Sequence, residues 1–168
     1  YDNWAALGNP GWGYDDVLPY FKRSEANATH RDSPFHGIDG PLHVTDLQSP
    51  SPLNEVFLEA CQSQGIPFNP DFNGAQHDGC YHVQVTQKDG ERHSAAAAFI
   101  HPHMDRPNLD VRTGAHISRV LFDGRRATGV EYRRGGQERI VRARREVVMS
   151  AGAFGTPQIL MASGLGPG

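Results

Sequence analysis

Apolar residues recur at two spacings along the chain, and the spacing assigns the elements. Leu53, Val56, Phe57, Ala60 and Cys61 fall at i, i+3, i+4, i+7 and i+8, the repeat of one helix face, and predict a helix over 52–64. Ser51 is placed to cap it, Pro52 suits its first position, and Gly65 suits its end. A shorter helix is predicted around Val17, Leu18, Tyr20 and Phe21, with Asp15 and Asp16 at its positive end and Pro19 in its first turn. The alanine-rich stretch 94–100 reads as helix, stopping before Pro102. Tyr81, Val83 and Val85 alternate with polar residues and predict a half-buried strand over 81–87, followed by an Asp89-Gly90 turn. A short strand is expected at 42–46. Residues 24–41 and 66–80, polar and rich in glycine and proline, read as surface loop.

From 108 onward the texture changes. Five short strands are predicted at 109–113, 115–122, 127–133, 137–143 and 146–150, with the three from 115 to 143 forming an antiparallel meander. The last, carrying Val147-Val148-Met149, is continuously apolar and reads as a buried parallel strand. A final helix is expected over 158–163, with Thr156 as cap and Pro157 opening it. Neither an internal repeat nor a low-complexity tract is present.

Composition narrows the function classes. Among 168 residues, 19 are glycine and 12 proline, which demands many turns. The net charge of -3 gives no global pull toward nucleic acid or an anionic membrane. The charge is uneven, however: residues 112–145 hold ten arginines against Asp123, Glu131 and Glu138. A stand-alone, non-catalytic binding module with an arginine-rich face is therefore the alternative reading. The aromatic interleaving of a single-strand binder is thin, limited to Phe122 and Tyr132, and a solvated face of the meander accounts for the charge. Cys61 and Cys80 make no disulfide framework, and the expected location is cytoplasmic, with membrane association of a longer protein as the variant. No apolar run approaches the ~20 residues of a membrane helix. His101, His103, His77 and His82 lack the partners of a structural metal site, so no metal is expected. The triplet Asn27-Ala28-Thr29 matters only as a glycosylation acceptor in a secreted protein. The chain opens at Tyr1 and stops at Gly168 just after an apolar run, and an internal fragment is the expectation.

The candidate chemistry sits between Met149 and Pro157. A buried strand, a bend of small residues (Ser150, Ala151, Gly152) and a helix start would let a ligand approach the backbone and meet unpaired N–H groups. A cofactor site and a plain strand-to-helix crossover both fit that pattern.

The run Gly152-Ala153-Phe154-Gly155-Thr156-Pro157-Gln158-Ile159-Leu160-Met161-Ala162-Ser163-Gly164-Leu165-Gly166 resembles the second signature of the glucose-methanol-choline oxidoreductases. Gly8-Asn9-Pro10-Gly11-Trp12, Asp16-Val17-Leu18-Pro19-Tyr20-Phe21, His36-Gly37, Gly40-Pro41-Leu42, Asp71-Phe72-Asn73-Gly74, Arg92-His93-Ser94-Ala95 and Gly129-Val130-Glu131-Tyr132 are similar to that family in its order, closest to the choline-dehydrogenase-like branch. The resemblance implies a mixed α/β (α+β) fold: part of a Rossmann-like FAD/NAD(P)-binding domain with a β-meander, plus part of a substrate-binding domain. It assigns residues 1–34 to a segment following the flavin-attachment region, 35–100 to the substrate domain and 101–168 to the FAD domain. It implies FAD as cofactor, with contacts from Ile117 (backbone), Ser150, Ala151, Gly152, Thr156 and Pro157. It further implies an alcohol substrate whose hydride passes to flavin, with the remainder of the polypeptide as partner and no nucleic acid. Ala97 departs from the family, which often has arginine there, and puts one local salt link in doubt. The family's G-x-G-x-x-G fingerprint is absent, Gly164-Leu165-Gly166 lying on the wrong side of its helix, and its catalytic histidine falls outside these residues. No catalytic residue is therefore expected in this chain, and the fragment alone is expected to be inactive.

Overall fold

The computed structural model describes residues 1–166, which form two compact units that divide between Leu109 and Asp110. Among the described residues no helix is long and apolar enough to cross a membrane.

The first unit opens with helix α1 (Asp2–Ala6) and helix α2 (Tyr14–Ser24). The acidic start of α2 behaves as its charges require. Asp16 Oδ2 accepts from the Gly13 amide at 3.0 Å, and Asp2 Oδ1 accepts from the Tyr14 amide at 2.7 Å. Pro19 is not in the first turn but at the sixth helical position, where its missing N–H leaves the Asp15 carbonyl without a helical partner.

Residues 24–41 are more than surface loop. Strand β1 (Glu25–Asn27) pairs in parallel with β2 (Leu42–Asp46), which pairs antiparallel with β3 (Gln84–Val85). The chain between β1 and β2 folds back so tightly that a Cβ on Gly37 would stand 1.8 Å from the Lys22 carbonyl oxygen, and one on Gly40 2.3 Å from the Ser24 carbonyl carbon. Only glycine allows that approach. The strand expected at 81–87 survives as β3 and β4 (Gln87–Lys88), because β4 turns away to pair with β5 (Glu91–Arg92). That hairpin closes through Asp89 and Gly90, both at positive φ (53° and 81°), as an Asp-Gly turn requires.

Helix α3 (Pro52–Ser63) matches its prediction, with Ser51 Oγ accepting from the Leu53 amide. Its predicted buried face does not. Leu53, Val56 and Phe57 are 74%, 60% and 66% exposed, and the helix is anchored instead by Leu58. The spacing marks a face that needs a cover, and unit one does not supply it. The alanine-rich segment winds as a π-helix (Ala96–Ile100) and continues through Pro102 as a 3-10 turn (His101–His103), past the predicted stop.

The second unit is built on the predicted meander. Strands β6 (His116–Asp123), β7 (Arg126–Arg134) and β8 (Gln137–Arg142) run antiparallel in sequence order. Val120 and Tyr132 form its small core, and the Tyr132 hydroxyl accepts from Arg112 Nη1 at 3.0 Å. Gly129 lets β7 approach β8, since a Cβ there would fall 2.2 Å from the Val141 carbonyl oxygen. Residues 109–113 form no strand; Arg112 is held instead by Asp110, at 2.6 Å. Residues 146–150 also form no strand, and Val148 is 75% exposed. A parallel strand needs neighbours on its edges, and no described residue supplies them. Helix α4 (Gly152–Ala162) starts six residues earlier than predicted, with Thr156 and Pro157 inside it. It is tied to β6 through Ser163, whose Oγ accepts from the Val120 amide at 2.8 Å and donates to the Ile159 carbonyl at 2.6 Å.

Candidate cofactor site

The second unit carries an open cavity of about 530 Å³, walled by the meander on one side and by residues 146–151 on the other. Ile117, Val130 and Val141 supply its apolar floor, and Met149, Ser150 and Ala151 its rim. Of the six candidate residues, the fold thus brings Ile117, Ser150 and Ala151 to one cavity. Gly152, Thr156 and Pro157 do not line it; they belong to the first turns of α4.

Gly152 turns the chain from the rim into the helix at φ 82°, and the space where a side chain would stand is open. Any other residue would be strained there and would fill that space. Thr156 is the fifth helical residue, not the cap, yet its hydroxyl has a related task. Oγ1 accepts from the Ala151 amide at 3.1 Å, fixing the bend from within the helix. The amides of Gly152, Ala153 and Phe154 are the first three of α4, which have no partner inside a helix. The bend therefore presents free N–H groups, a helix positive end and room for a ligand against main chain, beside an apolar slot. This donor set fits a dinucleotide cofactor: amides for phosphate or polar edges, an apolar wall for a ring. Among the described residues no three His, Cys, Asp or Glu side chains cluster as a metal centre.

A second polar constellation went unseen in the sequence. Asn27 in β1 is completely buried, and His36 nearly so. Asn27 Oδ1 accepts from the amides of Thr29 and His30 at 3.0 and 2.9 Å, while Nδ2 donates to Glu25 at 2.9 Å and Gln84 at 2.8 Å. His36 Nδ1 meets Glu25 Oε1 at 2.9 Å, and Nε2 meets Asp71 Oδ1 at 3.0 Å. Burial alone would lower the His36 pKa; the hydrogen bonds from Glu25 and Asp71 outweigh it and hold the imidazole above its ordinary value. In this fold the Asn27 side-chain nitrogen is buried and hydrogen-bonded. These residues stand at 25, 27, 36, 71 and 84, a spread that no periodicity flags.

The GMC oxidoreductase family model matches residues 1–168. The chain belongs to the GMC oxidoreductase family. It is 44% identical over 168 residues to an alcohol dehydrogenase [acceptor] of Pseudomonas putida, covering 99% of this chain and 30% of that protein. It is 42% identical over 166 residues to the mitochondrial choline dehydrogenase of Mus musculus, covering 99% of this chain and 28% of that one. Among solved structures it is similar to an FAD-dependent oxidoreductase from Chaetomium thermophilum, with TM-score 0.81 and 28% identity over 99% of this chain and 31% of the other. A pyridoxine 4-oxidase from Mesorbium loti aligns with TM-score 0.76 and 30% identity over 95% of this chain and 31% of that one. This GMC oxidoreductase chain thus spans about 30% of the length of the curated relatives it matches.

Proposed function

We propose that the chain is part of an FAD-dependent enzyme that oxidises the CH–OH group of an alcohol, and that residues 150–157 hold the flavin nucleotide. The observation that carries this reading is the open bend at Gly152, set between three unpaired helix amides and the cavity floored by Ile117. The names of the relatives, alcohol and choline dehydrogenases, supply the substrate class. When bound, flavin accepts the hydride; the protein contributes placement and exclusion of water.

The tasks of individual residues follow from their positions. Gly152 and Ala153 offer amides to a polar edge of the cofactor, and the absence of bulk at Gly152 lets it approach. Thr156 holds the Ala151 amide and so keeps the bend from relaxing. Pro157 stiffens the helix one residue later. Ile117, Val130 and Val141 offer apolar contact. On the family assignment, residues 35–100 belong to the substrate domain and 101–168 to the FAD domain. Proton transfer from the alcohol falls to residues outside this chain, so the chain alone is inactive.

The full-length protein is expected to be yellow, with flavin absorbance and alcohol-dependent dye reduction. Gly152→Val in that protein should reduce bound flavin at least tenfold in the purified material. A folded, colourless parent, or a Gly152→Val variant with full flavin content, overturns the reading.

A further inference from the structure

The first unit holds a device that the cofactor reading leaves unused. His36 lies buried between two carboxylates from distant parts of the chain, one facing each ring nitrogen: Glu25 Oε1 of β1 at 2.9 Å from Nδ1, and Asp71 Oδ1 of the 69–79 loop at 3.0 Å from Nε2. A neutral imidazole has one N–H. A bare Nε2 would turn its lone pair toward Asp71, and a bare Nδ1 would face Glu25 Oε1 at 2.9 Å with the Asn27 amide nitrogen at 3.1 Å as its one donor. Only the imidazolium donates to both.

The two ends are not equal. Glu25 is pinned by further donors, the Asn27 amide group at 2.9 Å and the Gly37 amide at 3.0 Å. Among the described residues the Asp71 carboxylate has only His36 at hydrogen-bond distance, with His30 Nε2 at 4.0 Å, and it sits on a loop. That loop supplies Asn73 and His77 to the wall of a cavity of about 440 Å³, whose opposite side is formed by Tyr14, Val17 and Phe21 of α2.

We propose that His36 and Asp71 form a proton-held latch that fastens the 69–77 loop to β1 and closes one wall of this cavity. Loss of the imidazolium charge weakens the bond to Asp71, which no other donor supports, while Glu25 keeps the Asn27 and Gly37 amides. The other charged or titratable groups around the latch are few. From the loops these are His30, its ring stacked on His36 at 5.2 Å, and His77. From α2 they are Tyr14 and Lys22, whose ammonium donates to the Pro34 carbonyl. From β2, Asp46 reaches the cluster only through Gln84. None of them supplies a second cation within hydrogen-bond distance of Asp71, so His36 alone controls it. The latch stands independently of the flavin reading.

The test is a pH titration of the full chain with 15N-labelled histidine, together with amide exchange over 71–77 corrected for its intrinsic pH dependence. Both His36 ring nitrogens should remain protonated above pH ~6.5, the ordinary histidine value. Exchange over 71–77 should rise at least tenfold as His36 loses its proton. Asp71→Asn should lower the His36 midpoint by about one pH unit or more, and His36→Gln should abolish the exchange transition. A His36 ring carrying one proton at pH 6, or loop exchange flat across its titration, overturns the latch. If Asp71→Asn does not fold, the wild-type titration and exchange decide alone.

Discussion

Asn27 shows how much one side chain can organise. It donates twice, accepts twice and reaches β3 from β1, so truncation strands several partners at once. Asn27→Ala should cost about 2–3 kcal/mol in a urea melt, well above the ~1 kcal/mol of a typical lost hydrogen bond. His36 adds a pH dependence of definite sign. Its folded pKa is raised, so its contribution to stability is complete below the unfolded value of about 6.5 and fades as pH rises through the folded value. Denaturant midpoints should therefore fall as pH climbs past that point, and His36→Gln should flatten the slope. None of this was legible in the sequence. Polar residues in a glycine-bearing stretch look like loop, and nothing local says that 25, 27, 36, 71 and 84 converge. The bend at Gly152, by contrast, was legible because its small residues are contiguous.

At the scale of elements, local chemistry was read well and partners were read badly. The meander, α3 with its Ser51 cap, and the Asp89-Gly90 turn follow from periodicity and turn residues close together in the chain. The strand predicted at 146–150 fails because an apolar run states a need for neighbours without saying where they are. Its amides should exchange freely in this chain while those of 117–133 stay protected, which hydrogen exchange would show directly. Helix α4 begins early because the Thr156 hydroxyl accepts from the Ala151 amide inside the helix instead of capping it, which leaves Pro157 at the sixth position. Its far end depends on Ser163. Ser163→Ala removes the hydrogen bond that ties the end of α4 to the Val120 amide and should lower stability by about 1–2 kcal/mol in the same melt.

For the whole molecule, the two compact units divide at Leu109, whereas the family-based expectation placed borders at 34 and 100. The units reflect contacts within these residues; the family's domains belong to proteins more than three times as long, of which this chain spans about 30%. On α3, Leu53, Val56 and Phe57 stand exposed in this chain while Leu58 is buried. Phe57→Ser should change the stability of this chain by less than about 0.5 kcal/mol, as for other exposed positions, whereas Leu58→Ala should cost about 2–5 kcal/mol. Equal losses at the two sites would contradict the exposed placement of Phe57.

Strand β8 is one of the two outer strands of the meander, exposed along its whole length, with Arg139 and Arg142 on it and Arg133 and Arg134 beside it on β7. An unpaired strand rim invites a second copy to add itself, and clustered positive charge makes that addition unfavourable. The basic stretch that first suggested nucleic acid then acts as a guard against self-association. Charge-neutral replacements at Arg139 and Arg142 should make the chain aggregate at low salt, where the native protein stays dispersed.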